Sequence, residues 1–566
     1  MNIPVHKQNQ AVWWILGLAT LLFLTGIGLR DPWPADEPRF AQVAREMVQS
    51  GQWLFPTRGG EFYSDKPPIF MWAIAGLYWL TDNLRLAFLL PSALCSIFTV
   101  WLVYDLNRRL WDEKVAMYGS LLLLATLQFV LQGKTAQIDA MVTCWITLAC
   151  YGLLRHLILG NAWSWYLLGW FAMGIGVITK GVGFLPIFLF IPWALLLLVN
   201  GRDHLAPPTL ALLAGVPLFL LAIALWVVPM NIVVSMSDDP ALTAYRNDIM
   251  FRQTGTRYAN AWHHVEPVYY YVISVIPVFW LPTVLLLPGL VGPWWLAFRA
   301  RDPRIVMPLV WIVLVLIFFS ASPGKRGVYV LPMLPMFCVA IAPYLSELLQ
   351  KRWVSWAVRI LLAVLAILFI GVAIAAYSGN TTLLEAEAEH GFAPWNLLLV
   401  VGLFALVATF ICRKGRVPAA WALFIGPFWL IYSTWAYTLV NSDRTPANVM
   451  RAVDDLTNDK ATIGLVKFRE QYLLFAHQPI THFGFHTPVV AQLAEGWRWL
   501  DEDSDRYLLL ADDMPLDCFD SSNAVPVGRA HRDDWRLYSS ANRKPSCAPP
   551  EVAVTRFDYW QPGALQ

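Results

Sequence analysis

Five groups of charged residues in this sequence have types and spacing suited to chemistry. Asp36, Glu37 and Arg39 surround Pro38 in the stretch DPWPADEPRFAQVAREMVQSGQWLFPTRGGEFYSDKPPIFMW. Asp65 and Lys66 end the same stretch, just before an apolar run. Asp139 opens another apolar run, TAQIDAMVTCW. His264 stands in NAWHHVEPVYYYV, and Lys325, Arg326 and Tyr329 lie together in SASPGKRGVYVLPMLP. A carboxylate can act as a base or stabilise a cationic, sugar-like transition state. Lysine and arginine can hold a phosphate through charge-assisted hydrogen bonds. Each group also has a structural alternative. Asp36 suits a helix cap, and Asp65 with Lys66 suits an exposed turn with a snorkelling lysine. Asp139 suits a helix-dipole partner as well as a functional group at membrane depth.

The elements that must position these residues follow from composition. The chain has 566 residues, 57% hydrophobic and 14% charged, against about 25% charged in a soluble domain. The shortfall is confined to residues 1–440, because the 126 residues from Asn441 onward hold 31 charged side chains. An apolar block therefore precedes a tail of ordinary composition. This excludes a soluble single domain, a disordered chain and a small disulfide scaffold. A net charge of +2 gives no electrostatic basis for nucleic-acid binding.

Apolar stretches near 13–29, 84–104, 115–132, 138–159, 163–179, 184–200, 209–234, 268–291, 305–321, 328–345, 356–377, 395–412 and 418–440 approach the length a helix needs to cross about 30 Å of hydrocarbon. They predict about thirteen spans in an α-helical polytopic membrane protein. The piece 68–81 is shorter, starts at Pro67-Pro68, and reads as an interfacial helix. With the N-terminus cytoplasmic, the inner loops collect most of the loop arginines and lysines, as the positive-inside bias requires. Counting 68–81 as a span would break that pattern. The outer face then holds 30–83, 133–137, 180–183, 235–267, 322–327 and the tail. Within 30–83, Phe40, Val43, Ala44 and Met47 recur at helical spacing before Gly51, predicting an amphipathic helix on the membrane surface. Lys325 and Arg326 oppose the charge bias, which asks for an anionic partner.

The tail, 441–566, alternates short apolar runs (Thr462 to Phe468, Arg506 to Ala511) with polar turns, predicting a small α/β domain. It reads as a cover for the membrane domain or a contact surface for an acceptor, without chemistry of its own. Its two cysteines, Cys518 and Cys547, could pair in an oxidising compartment. The spacing alone leaves that open. Together these features describe a membrane enzyme or transporter for an anionic amphiphile.

The motif D-E-P-R-F-A-Q-V-A-R-E-M followed by S-D-K-P-P resembles the first periplasmic loop of bacterial lipid A aminoarabinose transferases. These are GT-C glycosyltransferases related to the protein O-mannosyltransferases. The I-D-A at 138–140, G-V-I-T-K-G at 176–181, the stretch from Ala261 to Tyr271 and K-x-x-x-Y-x-L-P from Lys325 to Pro332 add to the resemblance. It implies an inner-membrane enzyme with a transmembrane domain over 1–440 and a periplasmic α/β domain over 441–566. It implies transfer of 4-amino-4-deoxy-L-arabinose or a related sugar from undecaprenyl phosphate to lipid A. Asp36, Asp139 and Asp65 are then the catalytic acids, while Lys66, Arg39, Lys325, Arg326 and Tyr329 bind the donor phosphate. No cofactor is required, although a divalent metal on Asp65, Asp139 and His264 is compatible with the family. The sequence departs from the family pattern at Pro38, Phe40, Asp65 and Ala140, where Thr, Tyr, Glu and Pro are usual. Those changes bear on the sugar and the acceptor. A protein or polysaccharide acceptor, a lipid-linked sugar transporter and a structural scaffold are the alternatives. Outer-face clustering of charge and the lack of a convincing repeat favour an enzyme over a transporter.

Overall fold

The computed structural model describes residues 10–200, 205–251, 265–458, 460–544, 546–547, 553–559 and 565. Among them, seven helices are long and apolar enough to cross a membrane: Leu84–Leu110, Ile138–Leu159, Leu210–Met236, Thr283–Ala300, Pro303–Ala321, Arg352–Tyr377 and Val417–Arg444. Two further pairs, Glu113–Ala125 with Leu127–Gly133 and Thr381–His390 with Trp395–Ile411, bend by 71° and 119°. Shorter apolar helices cover Gln10–Leu24, Leu185–Val199 and Met333–Leu348, and Trp163–Lys180 completes the bundle. Each apolar stretch read from the sequence contains helix. The stretch 268–291 is the least regular, because a π turn at Tyr271–Val275, a short helix at Ile276–Phe279 and a 3-10 turn at Thr283–Leu286 follow one another. Pro277 and Pro282 lack the N–H donors a continuous helix needs.

The helix Ile69–Thr81 has 13 residues, about 20 Å at the usual rise. That is too short for a span of about 30 Å. It packs instead beneath the helix Glu37–Ser50, with the Phe40 and Phe70 rings edge-on at 5.2 Å. Glu37–Ser50 ends at Gly51, whose left-handed backbone (φ 72°) closes the last turn. Phe40, Val43, Ala44 and Met47 are all buried, as the spacing predicts. The surface placement expected for this helix is not what the structure shows. Gln42, Arg45 and Glu46 on its polar face are also buried: Glu46 accepts from Gln42, Thr57 and the Gly59 and Gly60 N–H groups of the first loop, and the C-terminal domain covers Arg45. Arg45 donates to the Leu473 carbonyl at 3.2 Å, and its guanidinium lies over the Tyr559 ring.

That C-terminal domain is a six-stranded mixed sheet ordered Val525–Ala530, Asp533–Tyr538, Arg506–Ala511, Thr462–Leu465, Ile480–His482 and Phe557–Tyr559. The central strand Thr462–Leu465 runs parallel to both neighbours, and the outer strands are antiparallel. Both apolar runs noted in the tail become central strands, as expected for buried positions. Cys518 and Cys547 are disulfide-bonded, with Cα atoms 5.2 Å apart. The sheet's apolar side shares one core with Glu37–Ser50 and Ile69–Thr81, so the tail and the first loop form one body.

Candidate active site

Asp36 occupies the cap position of Glu37–Ser50, yet its side chain makes no capping hydrogen bond. Its carboxylate instead accepts from Arg326 at 2.9 Å and lies 3.9 Å from Arg39, one turn along. The helix-cap alternative for Asp36 is therefore replaced by a long-range ion pair. Burial pushes the Asp36 carboxyl up, but the Arg326 guanidinium, with Arg39 and Lys180 behind it, holds it below the ordinary carboxylate range.

Glu37, the neighbouring acid, has a positioning task. It accepts from Arg30 at 2.7 Å and from the backbone N–H groups of Trp33 (2.8 Å) and Ala136 (2.9 Å). Arg30 also donates to the Lys134 carbonyl at 3.2 Å, and its guanidinium lies over the Trp33 and Tyr437 rings. This buried pair fixes the first loop against 134–136. The helix Ile138–Leu159 starts directly after, with Asp139 in its first turn.

Asp139 is buried and pairs with Lys180, the last residue of Trp163–Lys180. The Lys180 ammonium lies 4.7 Å from the Tyr329 ring centroid. Tyr329 follows Arg326 by three residues, and the Asp139 charge also acts on Arg326. Asp36, Arg326, Asp139 and Lys180 thus form a connected ring of alternating charge, with the Tyr329 ring against Lys180, drawn from four separate parts of the chain.

Arg39 extends the ring toward the tail. Its Nε donates to Glu470 at 3.0 Å, and Glu470 is buried. Burial pulls Arg39 down, yet Glu470, Asp36 and Asp65 hold it charged. Asp65 and Lys66 are half-buried, and the Asp65 charge acts on Arg39. Next to them, the Ser64 hydroxyl donates to Asp248 at 2.5 Å. The Tyr63 hydroxyl is buried with no hydrogen-bond partner among the described residues. Lys325 turns a different way. It is buried and donates to the Glu266 carbonyl at 2.7 Å, pinning the Val265–Gly324 bridge.

His264 lies outside the described residues. Among those described, no three His, Cys, Asp or Glu converge, and Asp139 is committed to an ammonium. Sequence reading missed Lys180, Glu470, Asp248 and Tyr63 as site residues. Lys180 carried a signal, since it is a cation in the outer loop 180–183 like Lys325 and Arg326. Glu470 carried none, because 431 residues separate it from Arg39.

Residues 65–227 match the family of dolichyl-phosphate-mannose-protein mannosyltransferases. The fold matches ArnT from Cupriavidus metallidurans bound to undecaprenyl phosphate, with a TM-score of 0.68 and 19% identity over 94% of this chain and 99% of that one. Its apo form matches with a TM-score of 0.69 at 20% identity, over 94% of this chain and 99% of that one. The mannosyltransferase family match, the fold match and the curated relatives together indicate a membrane glycosyltransferase of the GT-C class. Its curated relatives include the undecaprenyl phosphate-alpha-4-amino-4-deoxy-L-arabinose arabinosyl transferase of Aeromonas hydrophila. That relative is 29% identical over 404 residues, 68% of this chain and 71% of the relative. A Pseudomonas fluorescens transferase of the same name is 30% identical over 60% of each chain. Within its class, the chain is aminoarabinose-transferase-like.

Proposed function

We propose that the protein transfers 4-amino-4-deoxy-L-arabinose, or a closely related sugar, from undecaprenyl phosphate to a phosphate of lipid A. The observation that carries this is the charged ring at the ends of apolar helices. It offers Arg326, Lys180 and Arg39 to a lipid-linked phosphate and Asp36 and Asp139 to the sugar side. The relatives' names supply the sugar and the carrier. In the reaction, an acceptor phosphate oxygen attacks the anomeric carbon. The bond from that carbon to the donor phosphate oxygen breaks, and undecaprenyl phosphate leaves with the electron pair. The cations stabilise charge gathering on the leaving phosphate, an effect strongest in a preorganised, water-poor site. Asp36, held ionised, stabilises positive charge at the anomeric carbon. An acceptor phosphate is already an anionic nucleophile and needs little help from a base.

The positive-inside bias supports a cytoplasmic N-terminus and about thirteen crossings, with the ring and the C-terminal domain on the periplasmic side of the inner membrane. Mass spectrometry of lipid A from cells with and without the gene tests the reading. A phosphate-linked pentosamine present only with the gene is expected, and its absence refutes it. The match to protein mannosyltransferases favours a second reading, a protein hydroxyl as acceptor. That chemistry needs a base, and sugar found on protein hydroxyls and absent from lipid A would favour it.

A further inference from the structure

A cavity of about 680 Å³ lies where the last membrane helix meets the C-terminal domain. Its size falls within the roughly 300–1,000 Å³ of small-molecule sites. One wall is fixed by hydrogen bonds. Arg85 donates to Asp31 at 2.5 Å, and Asn441 donates to the same carboxylate at 2.7 Å while accepting from the Asp31 backbone at 2.9 Å. The lining also includes the exposed Ser442, Asn448 and Arg451, with Arg451 donating to Asn448 at 3.4 Å, and the paired Asp454 and His477. The buried Phe475 adds an apolar patch.

These groups suit one chemical class. Amides and hydroxyls pair with sugar hydroxyls, an aromatic ring packs against a sugar face, and the Arg451 guanidinium matches a phosphate. The location selects a lipid-borne form of that class. Arg85 and Thr438 stand near the ends of two apolar helices, Leu84–Leu110 and Val417–Arg444. The neighbouring interfacial helix exposes Trp79 and Leu80, each 73% accessible, as membrane-boundary anchors do. The cavity is also linked to the charged ring. Asp31 follows Arg30, Arg30 holds Glu37, and Glu37 adjoins Asp36.

We propose that this cavity docks the phosphorylated sugar headgroup of the acceptor glycolipid, apart from the donor phosphate at the charged ring. The docking role rests on an envelope glycolipid being the acceptor. The test uses full-length protein in phosphatidylcholine nanodiscs and bis-phosphorylated lipid A as the probe, with affinity read by thermophoresis. Arg451→Glu reverses the charge of an exposed lining residue, and Asn448→Trp fills the cavity from an exposed position. Each is expected to weaken lipid A binding about tenfold or more, the scale of one charged contact, with undecaprenyl phosphate binding unchanged. Dephosphorylated lipid A is expected to bind more weakly to the wild type and to be insensitive to Arg451→Glu. Three results would overturn the docking role: unchanged lipid A affinity in both variants, an equal loss of undecaprenyl phosphate binding, or competition by phosphatidylglycerol as strong as by lipid A. The binding assay needs no turnover. Sugar found on protein instead of lipid A would sink the acceptor reading by itself, without any change in these affinities.

Discussion

Protonation of His482 is expected to loosen the C-terminal domain from the first loop. The ring is fully buried and stacked between Phe468, 3.9 Å away, and Phe557, 5.0 Å away. Nε2 lies 2.7 Å from the Gly59 carbonyl, and Nδ1 accepts from the Gly484 N–H at 3.3 Å. The two contacts together require the neutral tautomer with its proton on Nε2. A second proton on Nδ1 would face the Gly484 donor. Burial, with Arg58 adding to it, pushes the imidazole down from 6.5 to about 4. The folded value is depressed, so the unfolded state takes the proton first as pH falls. The stabilisation is therefore complete above about 6.5 and lost progressively toward 4. The full span is worth about 3 kcal/mol at 1.36 kcal/mol per pKa unit, and about 2 kcal/mol is gone by pH 5. Gly59 cannot relieve this by bulkier contact, since a Cβ there would lie 2.7 Å from Nε2 on a left-handed backbone. Pulse proteolysis of the purified protein at pH 7.5, 6 and 5, read at the junction of domain and loop, measures the opening free energy. His482→Gln keeps a donor and an acceptor but does not titrate, so its opening energy is expected to lack the extra loss. Equal pH dependence in wild type and variant would refute the assignment.

Four other outcomes are expected. Glu37→Ala leaves Arg30 charged and buried, at a cost of about 3–5 kcal/mol in denaturant unfolding, and the Arg30→Met/Glu37→Leu pair is expected to cost less; a larger loss in the pair would contradict the unpaired-charge explanation. Asp139→Asn and Lys180→Met are each expected to lower sugar transfer from a labelled donor by about 10²-fold or more, and wild-type rates in either would remove that pair from the mechanism. Glu470→Ala frees Arg39 and is expected to lower kcat and to cost about 1.5–3 kcal/mol of domain docking, measured by turnover and by protease sensitivity together. Transfer by the purified enzyme is expected to survive chelation by EDTA, and a loss reversed by a divalent cation would show that the arginines and lysines alone do not carry the leaving phosphate.

The membrane helices and the first-loop helix were legible because hydrophobic periodicity and turn residues act locally. Pro38 and Gly51 marked the ends of Glu37–Ser50 within a residue or two, and Phe40 and Met47 marked its buried side. Asp36, Asp65, Asp139 and Arg326 were legible as candidates because charge is costly at a membrane boundary unless it has a task. The pairs they form were not. Nothing local distinguishes Asp36 as a cap from Asp36 as the partner of Arg326, 290 residues away, or selects Lys325 for a backbone carbonyl and its neighbour for a carboxylate.

The tail shows the same division most clearly. Its composition determined that it was a water-compatible α/β domain, since alternation and turn residues report burial strand by strand. Only the tertiary structure decided where that domain docks. It covers Arg45 on the polar face of Glu37–Ser50, sends Glu470 to Arg39, and closes His482 over Gly59. Those contacts depend on which surfaces meet after the chain has crossed the membrane many times, and that information is distributed over the whole molecule.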